Sequence, residues 1–582
     1  MSRNTEIAAL FEEFADLLEA QDVEYKPRSY RRAAENIRDH PTAIETLAEE
    51  GQDAVEGIEG VGDAISSKVL EYLETGAIEE LEELREELPV HMDELTSVEG
   101  VGPKTVGRLY EDLGVVDLSD LERAASGGEI RELDGFGPKT EENILDGLEF
   151  ARRARERELL GDARPLADDV LDYLEGVAAV ERVAVAGSIR RWRETSGDVD
   201  VLAASDDRQR VVDAFVDWER ADDTIEAGEN KASIRSSDIR IDLRVVAPSE
   251  FGSALQYFTG SKDHNVRFRN RAIERDLKVN EYGVFDVSEV GDSEDHQRAG
   301  ERIAGETEEG MYEALSLPWI PPELREDHGE IDAAAAGELP DLIEEGAPRG
   351  DLHTHTDWSD GTMGLEEWIA SAAEFGHEYL AIADHATGPG VVGGVGLSDD
   401  ELIEQAEAIR ESSRDAGIEV FAGVEANVDA EGGISIGEEV AEALDLVVAS
   451  PHSALGMSGG EATDRLVAAV SNPMVDILGH PSGRLLTRRE GMAFDVRAVA
   501  EAAAEHGTAL EINANPNRLD LWGRAVQLAI EAGATVVIDT DAHSPGEFEY
   551  LRYGVHTARR GWAEPEDVLN TRDADGIREF LD

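Results

Sequence analysis

The sequence predicts a multidomain chain: helical hairpin units first, an α+β segment in the middle, and a distorted α/β barrel at the C-terminus. Three observations predict it. A glycine motif recurs three times among helical stretches ahead of Arg155. Short β-type runs begin after about Pro165. From Asp351 onward apolar strands alternate with amphipathic helices, the rhythm of parallel strands joined by helical crossovers.

At roughly 150 residues per domain, the 582 residues suggest about three to five domains. Hydrophobic residues make up 41%, enough for real cores, so wholesale disorder is excluded despite 31% charged residues. No apolar run approaches the ~18 residues of a membrane span. The first twenty residues are acidic and amphipathic, unlike a signal peptide. There are no cysteines, which excludes disulfides, thiolate zinc sites and cysteine nucleophiles. A cytoplasmic protein is expected.

The formal net charge is −76. Spread evenly, such a charge repels nucleic acid. The other reading is solvent adaptation: Asp and Glu abound, and the basic residues are mostly Arg. At molar salt the Debye length is only ~3 Å, so a global acidic field hardly reaches a partner. Residues 351–582 hold 14 of the 53 basic residues, so the first part is richer in them and suits a polyanion site.

Residues 1–88 read as helices, with Ile7, Leu10, Phe11, Phe14, Leu17 and Leu18 at helical spacing. The recurring motif is Ile58-Glu-Gly-Val-Gly62, Val98-Glu-Gly-Val-Gly-Pro-Lys104 and Leu133-Asp-Gly-Phe-Gly-Pro-Lys139. In each copy the glycines (Gly60 and Gly62, Gly100 and Gly102, Gly135 and Gly137) permit a tight turn into a helix. Backbone N–H groups there can meet a phosphate oxygen whatever the base, and Lys104 and Lys139 add charge. Ordinary helix capping would explain one copy; three resemble helix-hairpin-helix motifs, which grip the DNA backbone.

The β-type runs are Val183–Gly187, Asp198–Leu202 and Ile239–Val246. Asp198 and Asp200, two apart on a strand, project to one face. Carboxylates so close repel one another unless a cation sits between them. Asp242, in an adjacent run, supplies a third oxygen ligand. Three carboxylates around two ions is the two-metal design for phosphoryl transfer. Gly187, Ser188, Arg191, Ser196 and Gly197 would cradle the β- and γ-phosphates.

Together GSIRRWRETSGDVDVL, RIDLR and YFTGSKDHNVRFR resemble the family X DNA polymerases, a likeness covering about residues 1–318. It implies an α+β nucleotidyltransferase palm with Asp198, Asp200 and Asp242 as ligands of two Mg²⁺ or Mn²⁺ ions. It implies that Tyr257, Phe258 and Gly260 turn beside the nucleotide sugar, that Asn265 reaches the minor-groove edge of the incoming base, and that Arg269 contacts the template side. Lys262 stands where some relatives carry an acidic residue. Arg267, Arg269 and Arg271 read as a DNA-facing row rather than a solvated helix face. The N-terminal segment resembles the family's lyase domain. There Lys26 matches a 5′-phosphate contact, Tyr30 an active-site tyrosine and Lys68 the Schiff-base lysine, whose pKa should be lowered. A second basic position of the family is Ala64 here.

The strand-end motifs after residue 350 bring His353, His355, Asp360, His385, Glu425, His452, His480, Asp541 and His543 to the mouth of the barrel. Imidazole with carboxylate suits Zn²⁺, Mn²⁺ or Fe. These motifs resemble a PHP (polymerase and histidinol phosphatase) domain, with all nine ligand positions filled. By resemblance His353, His355, Glu425 and Asp541 hold one ion, Glu425 bridges to a second with His452 and His480, and Asp360, His385 and His543 hold a third.

The division expected is 1–88, a lyase-like helical DNA-binding domain; 89–160, a fingers-type hairpin domain; 161–247, the palm; 248–318, the thumb with nucleotide selection; 319–349, a linker; and 350–582, the PHP phosphoesterase. The resemblances imply a gap-filling polymerase of base excision repair joined to a 3′–5′ exonuclease or 3′-end phosphoesterase, with 5′-deoxyribose-phosphate lyase activity besides. The implied partners are gapped or nicked DNA, dNTPs and other repair proteins, with no membrane, and a monomer is expected. The composition resembles the halophilic-archaeal type. Two other readings stay open: a PHP nuclease delivered to DNA by a weak polymerase half, and a non-catalytic DNA-end scaffold. The filled aspartate triad argues against the first, and two complete metal sets against the second.

Overall fold

The computed structural model describes all residues except 1–2, 22, 24–25, 39, 41, 59, 99, 134, 156, 291–295, 389–394 and 582. The chain divides into two compact units: residues 1–156 with 487–490, and residues 157–486 with 491–582. No helix among the described residues is long and apolar enough to cross a membrane.

The first unit is helical. Helix Arg3–Ala20 buries Ile7, Phe11, Phe14, Leu17 and Leu18, while Leu10 is only partly covered. The core these residues start runs on through Leu109, Leu121 and Leu148, so the expected boundary near residue 88 does not separate two cores. Gly107 explains the join. It lies in helix Pro103–Leu113, and a Cβ there would run into the carbonyl oxygen of Ala20. Glycine lets the two helices touch.

The second unit begins with the palm. Its five strands lie in the order Arg182–Val185, Val199–Ala204, Ile239–Val246, Lys231–Ser236, Asp223–Ala227. The central pair Val199–Ala204 and Ile239–Val246 is parallel and the other neighbours are antiparallel. Ile239, Ile241, Leu243 and Val245 alternate onto the face covered by helices Leu160–Glu175 and Arg208–Val216. Asp242 therefore points to the opposite face. A three-stranded antiparallel sheet, Leu277–Asn280, Gly283–Asp286 and Glu301–Ala304, forms the thumb.

Residues 319–349 are not a linker. Ile320, Leu324, Ile331, Ala334 and Leu342 lie in one core with Phe268, Val284, Met311 and Tyr312 of the thumb. The polar composition misleads because its buried charges are paired with groups far away. Arg325 meets Glu308 at 2.5 Å, and Glu330 meets His264 at 2.6 Å.

Seven parallel strands follow in sequence order: Gly350–Thr354, Tyr379–Ile382, Glu419–Asn427, Leu446–Ser450, Ile477–Leu478, Ala509–Asn513 and Val536–Asp539. A bridge between Thr354 and Ala542 joins the ends of the first and last strands, nearly closing a barrel. Almost every strand residue is buried, as expected of strands covered on both faces. All nine expected ligands sit at or just beyond the C-terminal ends of these strands.

Two candidate active sites and a helical DNA-binding unit

In the palm, Asp200 and Asp242 are direct register partners on adjacent parallel strands, and Asp198 lies one residue ahead of the first strand. Asp200 and Asp242 border a cavity of about 200 Å³ that Lys231, Ser233, Arg240, Arg244 and Phe258 also line. Burial, then the charges of Asp198 and Asp242, push Asp200 up to about 7. Burial and Asp242 likewise raise Asp198. Arg240 meets Asp242 at 2.8 Å but is half exposed. Carboxylates that force protons onto one another are a donor set for hard divalent ions.

The turn that leads into this cluster needs glycine twice over. Gly187 has φ +63°, and a Cβ there would fall on the Asp200 carboxylate. We predict that Gly187→Ala lowers primer extension by about 10²-fold through displacement of Asp200. Steady-state extension assays check this, with barrel hydrolysis unchanged as the control. Ser188 and Ser196 lie Oγ to Oγ at 2.5 Å, and the Ser196 hydroxyl bonds the Asp198 carbonyl at 2.7 Å, so the loop closes on itself beside the triad. Gly197 is exposed at its tip. Arg191 is turned to the Thr259 carbonyl at 2.7 Å and to Glu326 at 3.0 Å.

On the thumb side, Arg244 stacks over Phe258 at 4.6 Å, and Tyr257 is exposed. Asn265 donates to the carbonyls of Tyr257 and Gly260 and accepts from Gln256, which fixes its amide. Of the three arginines read as a row, Arg267 pairs with Asp327 and Asp332, and Arg271 donates to the Leu315 carbonyl. Arg269 is exposed.

In the barrel the nine residues converge. His452 and His480 place Nε2 at 3.1 and 2.9 Å from Glu425 Oε1, while His385 Nδ1 lies 2.6 Å from Glu425 Oε2. His355 Nε2 lies 3.1 Å from Asp541, and His353 Nε2 lies 3.6 Å from Glu425. Asp360 faces His385 at 3.2 Å and His543 at 3.3 Å. Three sets have ligand atoms close enough to share an ion: His355, Asp360, His385 and His543; His353, His355 and Glu425; His385, Glu425 and His452. His353 Nε2, both nitrogens of His355, His385 Nδ1 and Glu425 Oε2 are buried without a hydrogen-bond partner. Buried nitrogens and a carboxylate oxygen without hydrogen-bond partners, distributed over these three sets, are the donors a metal cluster requires, so the residues fit the group. Bound ions would supply a water of lowered pKa and a clamp for a phosphate.

In the helical unit Gly60, Gly100 and Gly135 have φ of +73°, +82° and +83°, a conformation that favours glycine. Gly62 and Gly102 are the N-caps of helices Asp63–Thr75 and Pro103–Leu113, and Gly137 precedes helix Pro138–Arg155. Lys104 and Lys139 are exposed in the first turns. The motif residues Glu59, Glu99 and Asp134 lie outside the described residues.

Four known families match along the chain: helix-hairpin-helix domain over residues 2–78, SAM-like helix-hairpin-helix tandem over 92–149, DNA polymerase beta thumb over 254–326 and PHP domain over 351–515. A relative from Bacillus subtilis, described as DNA polymerase/3'-5' exonuclease PolX, is 34% identical over 99% of both chains. The chain belongs to the PolX family of DNA polymerases. Rat DNA polymerase lambda is 25% identical over 56% of each chain. A protein of Caldanaerobacter subterraneus described as "Probable phosphatase" is 32% identical over 40% of this chain and 90% of its own.

The PolX-type barrel holds positioning groups that motif reading missed. Glu511 binds His353 Nδ1 at 2.6 Å and the His480 amide at 2.5 Å, and so aims His353 Nε2 inward. Asn427 takes His452 Nδ1 at 2.7 Å, and the Asp541 carbonyl takes His543 Nδ1 at 2.7 Å. Arg518 lies 3.7 Å from Asp541, a cation at a site of anions and imidazoles. The available signal was Glu511 and Asn513 in an otherwise apolar strand. We predict that Glu511→Ala lowers the barrel's metal affinity ~10–100-fold, read by titration of the apoprotein.

The lysine of the lyase-like segment departs from expectation. Lys68 meets Glu80 at 2.8 Å, and Lys26 reaches the same carboxylate at 3.9 Å. Burial draws Lys68 down, but the Glu80 hydrogen bond and Tyr30 outweigh it and hold the ammonium above its ordinary value. Tyr30 is buried and stacks on Phe14 at 4.4 Å. Ala64 is exposed in the first turn of the same helix.

Proposed function

We propose that this chain adds deoxynucleotides to primer 3′ ends in gapped DNA through its palm, and trims or cleans 3′ ends through its barrel. The observation that carries the reading is the occurrence of two separate donor sets: Asp198, Asp200 and Asp242 beside the Gly187 turn, and nine imidazole and carboxylate residues at the barrel mouth. The primer hydroxyl would attack the α-phosphorus and pyrophosphate would leave toward Ser188, Arg191 and Ser196. Gly260 and the Tyr257–Phe258 turn would border the sugar, Asn265 the base edge and Arg269 the template. The hairpin glycines with Lys104 and Lys139 would hold the DNA backbone. Divalent ions, two in the palm as Mg²⁺ or Mn²⁺ and three in the barrel as Zn²⁺, Mn²⁺ or Fe, suit these donors, and a cytosolic monomer suits the reading. Incubation of the purified chain with gapped DNA, dNTPs and Mn²⁺ tests it. Extension together with shortening of 3′ ends is expected; shortening alone points to a nuclease, and neither to a scaffold.

The excess of Asp and Glu supports adaptation to high salt. A protein with six to ten phosphate contacts ordinarily loses ~10³–10⁵ in affinity between 50 and 200 mM salt. This chain would instead rely on backbone N–H contacts and stacking, so extension should persist at ~1 M salt. Activity best at low salt and gone at ~1 M would refute the adaptation.

Lys68, beside Lys26 and Tyr30, would serve as lyase nucleophile only after release from Glu80. Borohydride trapping on a 5′-deoxyribose-phosphate end should occur and should vanish in Lys68→Ala, since only an imine is reduced to a stable adduct. Trapping that survives the substitution assigns it to another amine.

A further inference from the structure

We propose that the barrel helix Leu551–Arg560 positions the palm's phosphate loop, with Arg560 and His556 as the positioning residues. The inference rests on the reading of loop 187–197 as the triphosphate cradle. It goes beyond that reading by assigning part of the cradle's geometry to the other catalytic domain.

Arg560 holds Arg191 once directly and once through Glu326. Its NH1 donates to the Arg191 carbonyl at 2.8 Å and to Glu326 Oε1 at 3.3 Å. The same Glu326 oxygen accepts from Arg191 Nε at 3.0 Å and faces Arg193 NH1 at 3.7 Å. One carboxylate thus serves two palm arginines and one barrel arginine, in a place where Arg560 and Glu326 are only 7% and 10% exposed. By sharing Glu326, Arg560 weakens its hold on the Arg191 side chain while pinning the Arg191 backbone. Glycine at 523 makes room, because a Cβ there would press on Arg560 Cβ.

The next residue is held from the same helix. Trp192 has φ +52°, a strained backbone for a bulky side chain. Its ring lies flat on His556 at 3.6 Å with 6° between the planes. His556 is clamped by Glu323 at 2.8 Å on Nδ1 and Glu345 at 2.7 Å on Nε2. With a carboxylate on each ring nitrogen, the imidazole is fixed in orientation. Arg164 and Arg552 cover Trp192 at 4.6 and 5.2 Å from its ring centroid. Further along, burial works to raise Glu194, yet Arg560, Arg484 and Arg193 bring it down to about 2, and two of those arginines belong to the barrel. Arg191, Trp192 and Glu194 are therefore each set against barrel groups, while Arg193 faces Glu326. This is strain held by surroundings that over-determine it.

The test uses the full chain on gapped DNA with variants Arg560→Ala, Arg560→Lys, Glu326→Gln and Arg191→Ala. Arg560→Ala should raise KM for dNTP about tenfold, the loss expected when a charge-assisted hydrogen bond goes. The inhibition constant of pyrophosphate should rise in step. kcat at saturating dNTP and barrel hydrolysis should stay within about twofold of the parent, and Arg560→Lys should recover part of the loss. Arg560→Ala and Glu326→Gln should be non-additive in KM because they share one contact. Arg191→Ala separates the two failures. If it leaves KM and pyrophosphate inhibition unchanged, the cradle reading fails. If it raises both while Arg560→Ala changes neither, positioning by the barrel helix is overturned. A uniform fall of kcat, hydrolysis and melting temperature in Arg560→Ala, or additive effects with Glu326→Gln, would also overturn it. Glu326→Gln keeps the packing and carries the test should Arg560→Ala not fold.

Discussion

Asp242→Ala should abolish nucleotide addition while DNA binding and barrel hydrolysis persist. Asp242 stands beside Asp200 across two parallel strands, and its one cationic partner among the described residues, Arg240, is half exposed. Removing it takes one of the three carboxylates away and leaves Arg240 at the cluster without its partner. Loss of a single preorganised group that stabilises developing charge costs ~10²–10³ in rate. The loss of one of the three carboxylates of the proposed ion set should cost at least that. Asp242 belongs to neither the hairpin motifs nor the nine barrel residues, so retention of duplex and retention of 3′-end hydrolysis are the controls. Extension near the parent rate would sink the palm assignment.

Glu425→Ala should strip the barrel more completely than His353→Ala. Glu425 lies within 4 Å of His353, His355, His385, His452 and His480, whereas His353 faces only Glu425 and Asp541 beyond its Glu511 support. In the chain without ions, burial would raise Glu425, but His452, His385 and His353 hold it well below the usual carboxylate range. Its loss removes the common anion of the cluster. Metal content of the purified protein should fall further for Glu425→Ala than for His353→Ala, Mn²⁺-dependent 3′-end hydrolysis should vanish, and extension should survive. Unchanged metal content in both variants would mean that the nine residues do not form a metal cluster.

Much of this was legible from residue order alone, for a physical reason. Short-range patterns survive in sequence: Asp198 and Asp200 two apart on a strand, glycines at fixed offsets before a helix, histidines at strand ends. Long-range pairings do not. Glu511 reads as a lone carboxylate in an apolar run until the barrel sets it against His353, 158 residues away. Arg325, Glu323 and Glu330 made 319–349 read as solvated, because the partners that permit their burial are Glu308, Arg559 and His264. Lys68 matched its position, but the charge beside it comes from Glu80 on the next helix, which reverses the expected direction of its pKa.

The packing of 319–349 has a consequence for how the chain comes off the ribosome. Leu342 belongs to the thumb core and Ile343, the next residue, to the barrel core. The thumb cannot complete its interior until Leu342 emerges, and the barrel starts with no slack between them. At the usual ~5–20 residues per second, synthesis of the remaining 240 or so residues takes roughly 10–50 s. During that interval Trp192 waits without His556, its flat face bare. A nascent polymerase half released early, or a gene cut between the two cores, would keep that face open to solvent. Such a fragment should aggregate more readily than the whole chain, and a separately expressed barrel that carries His556 should relieve the aggregation.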